Sequence, residues 1–343
     1  MDRSMPQIIG NDALRRRLCR DIRESALSHA YIIEGPTGSG RHTIALMAAA
    51  ALACEKKSDE SSPMPCLECP SCKKIIEGKS PDVIYISRED KASLGIDAAR
   101  FIKEDVRILP NDLDDKIYIV EDADRMTPQA QNAILLTLEE PPSFVHFFLL
   151  CNDSGSLLET IRSRAPIFRT EAISIPMIDE YICSHDTRAK QLKLSSPSEY
   201  AELLVAANGG IGKALKMLEE KSRGSVFESR ALISDFLYAA IESPSARILV
   251  PFITRFLSSR DQLHVSLSLL TDALRDLILL KKTDNVSLSF FSDKNQAIEL
   301  CDKTTLSFLH SLYTAVTVAL EENEKNSNSK LTLTKMLVSA KLI

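Results

Sequence analysis

The sequence has no surplus of positive charge: 42 lysines and arginines stand against 47 aspartates and glutamates, a formal net charge of −5. Sequence-independent affinity for nucleic acid rests on cations that neutralise phosphates. The balance therefore argues against a chain that grips DNA strongly by itself, a local basic patch aside. Long apolar runs are also missing. The longest, "IALMAAAALAC" from Ile44 to Cys54, is too short to cross a bilayer. The opening "MDRSMPQIIG" lacks the apolar core of a signal peptide. A cytoplasmic protein with no membrane partner is expected, and in that compartment eight cysteines do not form a disulfide framework. At 343 residues, two or three domains are expected.

What is present begins with an alternation. Leu14, Leu18 and Ile22 recur at helical spacing, and "AYIIE" (Ala30 to Glu34) reads as a buried strand. A glycine loop follows, then a helix from Ile44 to about Lys57. Beyond a cysteine-rich excursion come the strands "DVIYIS", "KIYIVED", "VHFFLLC" and "PIFRT". Helical segments separate them: "GIDAARFIKEDVRIL", "TPQAQNAILLTLEE" and Leu157 to Arg162. Strands alternating with helices predict a parallel sheet with helices on both faces, and continuous apolar strands fit burial on both sides. After about Thr170 the strand signals stop. Met177 to Glu220 reads as a small helical unit, "KSRGS" (Lys221 to Ser225) as a hinge, and the remainder as amphipathic helices. The polar "EENEKNSNSK" reads as a turn, because an apolar helix follows it.

Cys66, Cys69 and Cys72 form a C-x-x-C-x-x-C run, with Cys54 eleven residues before it. Four thiolates close a tetrahedral zinc site, and two-residue gaps let neighbouring sulfurs converge on one ion. Pro63, Pro65 and Pro70 favour a tight, non-helical knuckle. An iron–sulfur cluster uses similar ligands but has no redox partner in the flanking segments. A catalytic zinc would want an open position, usually with a histidine beside it, and no histidine lies between Cys54 and Cys72. A structural zinc is expected. Cys19, Cys151, Cys183 and Cys301 read as buried apolar residues.

The loop "GPTGSGRHT" has the rhythm of a phosphate-binding loop but lacks the residues at its end. Gly35, Gly38 and Gly40 would let the backbone wrap a phosphate at a helix N-terminus. Arg41 and His42 stand where a working loop has lysine and a magnesium-holding hydroxyl. A planar guanidinium does not mimic a compact ammonium. A strand–turn–helix without nucleotide and a site that binds without turnover both fit. "IYIVEDADRM" ends a strand in acids, with Glu121 and Asp122 in the reverse of the usual Asp-Glu order; a solvated strand end reads the same way. Asn152, after "VHFFLLC", stands where a side chain can reach a terminal phosphate, or is a plain turn residue. Arg164 in "IRSRAP" is either a solvated surface charge or an arginine presented to another subunit's phosphate site.

In order, "SHAYIIEGPTGSGR", the four cysteines, "IYIVEDADRMTPQAQNAILLTLEEPP", "FFLLCNDSGSLLETIRSRA" and "NGGIGKAL" resemble the AAA+ clamp-loader family, over about Gln7 to Leu218. Within it the closest likeness is to delta-prime-type subunits of bacterial DNA polymerase III. The resemblance implies an AAA+ α/β P-loop-type module (1–172) carrying a zinc module at about 54–72. A helical lid (173–222) and an all-α collar for oligomerisation (223–343) would follow. It implies assembly with gamma/tau-type and delta subunits into a ring that opens the sliding clamp and places it on primed DNA. Delta-prime types usually lack a competent ATP site and present the arginine of a Ser-Arg-Cys motif to a neighbour's ATP. Ser163 and Arg164 match that motif, with Ala165 in place of its cysteine. Lys213 falls near the family's second sensor position. The resemblance thus implies a stator that hydrolyses no ATP with magnesium itself. The rival within the family is an ATP-hydrolysing gamma/tau-type subunit, which would want lysine and a hydroxyl residue at 41 and 42. A zinc-containing nucleic-acid-binding regulator on an inactive NTPase fold is a rival from another class.

Overall fold

A computed structural model describes residues 4–59, 61–87, 93–257, 260–283, 288–291, 293–324 and 327–342. The chain forms two compact units: Met1–Met177 with Gly209–Gly212, and Ile178–Asn208 with Lys213–Ile343.

The first unit follows the expected alternation: α1 (Asp12–Arg23), β1 (Ala30–Glu34), α2 (Arg41–Leu52), α3 (Pro70–Ile76), β2 (Val83–Ile86), α4 (Ile96–Asp105), β3 (Lys116–Val120), α5 (Pro128–Glu139), β4 (Val145–Cys151), α6 (Glu159–Arg162) and β5 (Ile167–Arg169). All strand pairs are parallel, in the order β2-β3-β4-β1-β5. The expected α/β module, a parallel sheet with helices on both faces, is therefore present. Successive strand residues serve opposite cores. Tyr31, Ile33, Phe148 and Leu150 pack with α1, α2 and α3, whereas Ala30, Ile32, Phe147 and Leu149 pack with α4, α5 and α6. Burial on both faces is why these strands carry no polar alternation. Alanines 48 to 51 of α2 are all fully buried, so this helix lies close to the sheet. It ends at Leu52, short of the expected Lys57, where the backbone turns to deliver Cys54.

One buried carboxylate staples a loop to this sheet. Asp82, just before β2, is 0% exposed. It accepts the amides of Asn111 (2.6 Å), Asp112 (2.7 Å) and Leu113 (2.9 Å). Burial alone would raise its pKa, but these donors outweigh it and hold the carboxyl below its usual value. The stabilisation is thus complete above the unfolded-state pKa, near 3.9, and lost as pH falls through the lower folded value. Both oxygens are occupied by N–H donors, so an amide turns a donor onto a donor whichever way it lies. Asp82→Asn is expected to cost about 2–4 kcal/mol, read from the urea midpoint at neutral pH. A shift of under about 0.5 kcal/mol would contradict this.

The second unit is wholly helical among the described residues. After α7 (Ile175–His185) come α8 (Thr187–Ser195), α9 (Pro197–Ala207), α10 (Ile211–Met217), α11 (Glu220–Glu242), α12 (Ala246–Phe256), α13 (Arg260–Lys282), α14 (Lys294–Asp302), α15 (Leu306–Glu324) and α16 (Ser329–Ser339). The expected hinge at Lys221–Ser225 lies inside α11. One glycine costs a helix only about 1 kcal/mol. The same helix buries Ile233, Phe236, Leu237 and Ala240 in the core of α11–α16, which outweighs that cost. Phe236 meets Phe252 and Phe256 edge-on at 5.6 Å each. Of the polar stretch expected to be a turn, residues 321–324 end α15, 325 and 326 lie outside the described residues, and Asn328 caps α16 by accepting from the Lys330 and Leu331 amides. No helix among the described residues is long and apolar enough to cross a membrane.

Candidate functional sites

Because β4 lies between β3 and β1, the strand tips at Val120, Cys151 and Glu34 are neighbours. The glycine loop, Asn152 and the acids after β3 are therefore brought to one edge of the sheet. Gly38 and Gly40 have φ of +87° and +89°, the left-handed region that glycine enters at little cost. No side chain caps α2 at Gly40, so its first amides point outward, as an anion would require. A Cβ at Gly35 would collide with Thr170 Oγ1. That hydroxyl donates to Ser39 Oγ at 2.9 Å, while Thr37 Oγ1 donates to Asn152 Oδ1 at 3.1 Å. The loop is braced on two sides by its own hydroxyls.

The two unusual residues begin α2. Arg41 Nη1 is buried without a hydrogen-bond partner. His42 Nε2 lies 3.4 Å from Glu121 Oε1, and its ring stacks on Tyr85 at 5.5 Å. An imidazole thus occupies the approach between the helix start and the strand-tip carboxylate. Asp122 takes a left-handed conformation, φ +48°, and opens a 3-10 turn over Ala123–Arg125.

Asp124, within that turn, is a site residue that motif spacing alone does not single out. Its Oδ2 accepts both the backbone N and Nδ2 of Asn152 at 3.1 Å, which fixes the orientation of that amide. Its Oδ1 is buried without a partner. The only signal in the sequence is a third acid in "EDAD", two places beyond the Glu121–Asp122 pair. Ser154 Oγ and Arg169 Nε both approach Glu34 Oε2, at 2.8 and 3.3 Å. Burial, reinforced by Asp124 and Glu34, pushes the Cys151 thiol up to about 12, so it stays neutral and is no nucleophile.

Arg164 stands apart, just past α6. Its Nη1 donates to Thr160 O at 2.8 Å, and Nη2 lies 2.8 Å from Glu139 Oε1. The two side chains are 37% and 39% exposed. Lys213, in α10, belongs to the second unit; burial lowers its pKa, with Asp272 opposing.

The four cysteines do converge. Cys54, Cys66, Cys69 and Cys72 are all buried, and their sulfurs lie within 4.8 Å of one another. Tetrahedral zinc with bonds near 2.3 Å separates its sulfurs by about 3.8 Å, so a small closure suffices. Cys69 caps α3. The amide of Cys69 donates to Cys66 Sγ at 3.4 Å and that of Cys72 to Cys69 Sγ at 3.5 Å. Burial would raise Cys66, but the Cys69 and Glu68 amides and the neighbouring thiols bring it to about 7. Burial holds Cys54 and Cys72 high. Four soft donors with amide N–H groups on their sulfurs are close enough to bind a metal, and of the kind a soft cation keeps as thiolates.

Comparison with known proteins bears on the first unit. Residues 10–174 match the family model described as DNA polymerase III, delta subunit. The DNA polymerase III subunit tau of Bacillus subtilis is 31% identical over 214 residues, which cover 62% of this chain and 37% of the relative. The delta' subunit of Haemophilus influenzae is 29% identical over 208 residues, 61% of this chain and 59% of the relative. A gamma subunit-related protein of Thermotoga maritima aligns over 95% of this chain and 97% of its own, at 21% identity and a TM-score of 0.45. The chain spans less than two thirds of the length of these curated relatives. With its α/β module in place, residues 10–174 match that family model, and this part of the chain is similar to DNA polymerase III clamp-loader subunits.

Proposed function

We propose that this chain is a non-hydrolysing, delta-prime-type subunit of a bacterial clamp loader. In this reading it works in the cytoplasm, joins gamma/tau-type and delta subunits, and helps place the sliding clamp on primed DNA. Residues 1–172 form the AAA+ module, 173–222 a lid and 223–343 the collar through which the ring assembles. Arg164 is the arginine it supplies in trans, and Gly35, Gly38, Gly40, Asn152 and Asp122 frame a site that the chain itself does not use for turnover.

The observation that carries the reading is His42 on Glu121. A hydrolytic site of this family needs a hydroxyl and a carboxylate sharing magnesium, with a lysine on the phosphates. Here the imidazole engages the carboxylate, and Arg41 offers a fork where a point charge belongs. Cys54, Cys66, Cys69 and Cys72 would hold a zinc ion, which would supply a structural cross-link and no chemistry. Those cysteines order the excursion between α2 and α3.

A second reading, an ATP-hydrolysing gamma/tau-type subunit, has one observation in its favour. Tau and gamma names predominate among the similar curated relatives, and the tau match exceeds the delta' match by 31% to 29%. The isolated chain separates the two. A non-hydrolysing subunit gives ATPase activity at background, unchanged by Glu121→Ala. Turnover that Glu121→Ala abolishes would establish the motor instead.

A further inference from the structure

The cysteine module is tied to the start of the chain through one residue. Met64, two places before Cys66, is 1% exposed. Its carbonyl accepts the Met5 amide at 2.7 Å and the Cys19 thiol at 3.6 Å, and Ser4 pairs with it as a parallel bridge. Met5 is itself 0% exposed. The Met5 and Ile8 carbonyls then accept Arg15 Nη1 at 3.2 and 3.0 Å, and Ile8 N returns to Met5 O at 3.0 Å. At the far end of this stretch, buried Asn11 accepts the Glu171 amide at 2.7 Å, just past β5.

These contacts have a direction. The strand pairing runs through β1, β3 and β4, which carry none of Cys54, Cys66, Cys69 and Cys72; those cysteines, with Met5 and Ile8, pack into the core on the α1–α3 face. Residues 4–9 belong to neither helix nor sheet strand, and their backbone is anchored on Met64. Met64 in turn lies two residues before Cys66, one of the four cysteines whose sulfurs meet. We propose that a metal on Cys54, Cys66, Cys69 and Cys72 fastens residues 4–9 and the first turn of α1, so that its loss opens this edge locally while the sheet stays closed. The cross-link then does more than shape its own knuckle, because it also orders a segment far upstream of its ligands. The inference rests on the reading that the cysteines hold zinc, and the test separates the two.

Metal content of the purified full-length chain comes first: one zinc per chain is expected, and none would remove the reading and the proposal together. Hydrogen exchange is then compared between zinc-loaded protein and protein stripped by chelator under reducing conditions. The amides of Met5 and Ile8 are expected to exchange about tenfold faster or more after stripping, because local opening replaces a closed hydrogen bond. Adding zinc back restores them, and amides of β1, β3 and β4 keep their rates. Cys66→Ser, which removes one ligand without any chelator, should reproduce the stripped pattern. If residues 54–76 open while 4–11 keep their rates, zinc is bound but the fastening is wrong. If the sheet opens to the same extent, the effect is global and the proposal also fails.

Discussion

Replacing Arg164 with alanine is expected to lower the ATPase rate of a ring reconstituted with a gamma/tau-type subunit, delta and clamp by about 10³ or more, with assembly unchanged. The guanidinium lies on the surface, half-exposed, held by Thr160 O and Glu139 rather than by the core. An exposed ion pair of that kind is worth about 0–1 kcal/mol. Release toward a neighbour's triphosphate therefore costs little against the transition-state charge it would meet. The same exposure predicts that the alanine variant folds normally. Arg164→Lys should recover only a small part of the loss, because a point charge does not reproduce the two-pronged contact. Equal ATPase rates in rings with wild type and Arg164→Ala would overturn the assignment.

In the second unit, Asp276→Ala is expected to destabilise the chain by about 3–5 kcal/mol, seen as an early denaturant transition. Asp276 is 0% exposed on α13. One of its oxygens accepts the amides of Ser289 (2.8 Å), Phe290 (2.7 Å) and Phe291 (3.4 Å), and the other the Ser289 hydroxyl at 3.0 Å. Alanine leaves those amides buried without an acceptor. Asparagine should be gentler, near 1–2 kcal/mol, because its oxygen can keep the amides while the Ser289 hydroxyl turns to accept. This contrasts with Asp82, where no orientation of an amide serves both sides. An Asp276→Ala variant within about 1 kcal/mol of wild type would show that the 288–291 turn is held by something else.

The two cases also show what the sequence leaves unsaid. Strands such as "VHFFLLC" are legible because burial on both faces imposes an unbroken apolar run, and the cysteines because their spacing is itself geometry. Asp82 and Asp276 are not, since an acid that serves distant amides looks like any surface acid until the chain closes. At the strand tips, His42 and Glu121 each stand out in the sequence, but their pairing depends on β3 and β1 flanking β4. Asp124 escapes for the same reason: its partner Asn152 follows another strand. The hinge expected at Lys221–Ser225 rests on local propensity, which the core contacts of one long helix override.

The hydroxyl braces on the glycine loop have a consequence for how this corner can change. Thr37 on Asn152 and Ser39 with Thr170 brace the turn through the protein's own hydroxyls. Contour and chemistry are therefore separable here: the side chains at 41 and 42 can be exchanged while the ribbon that carries them stays put.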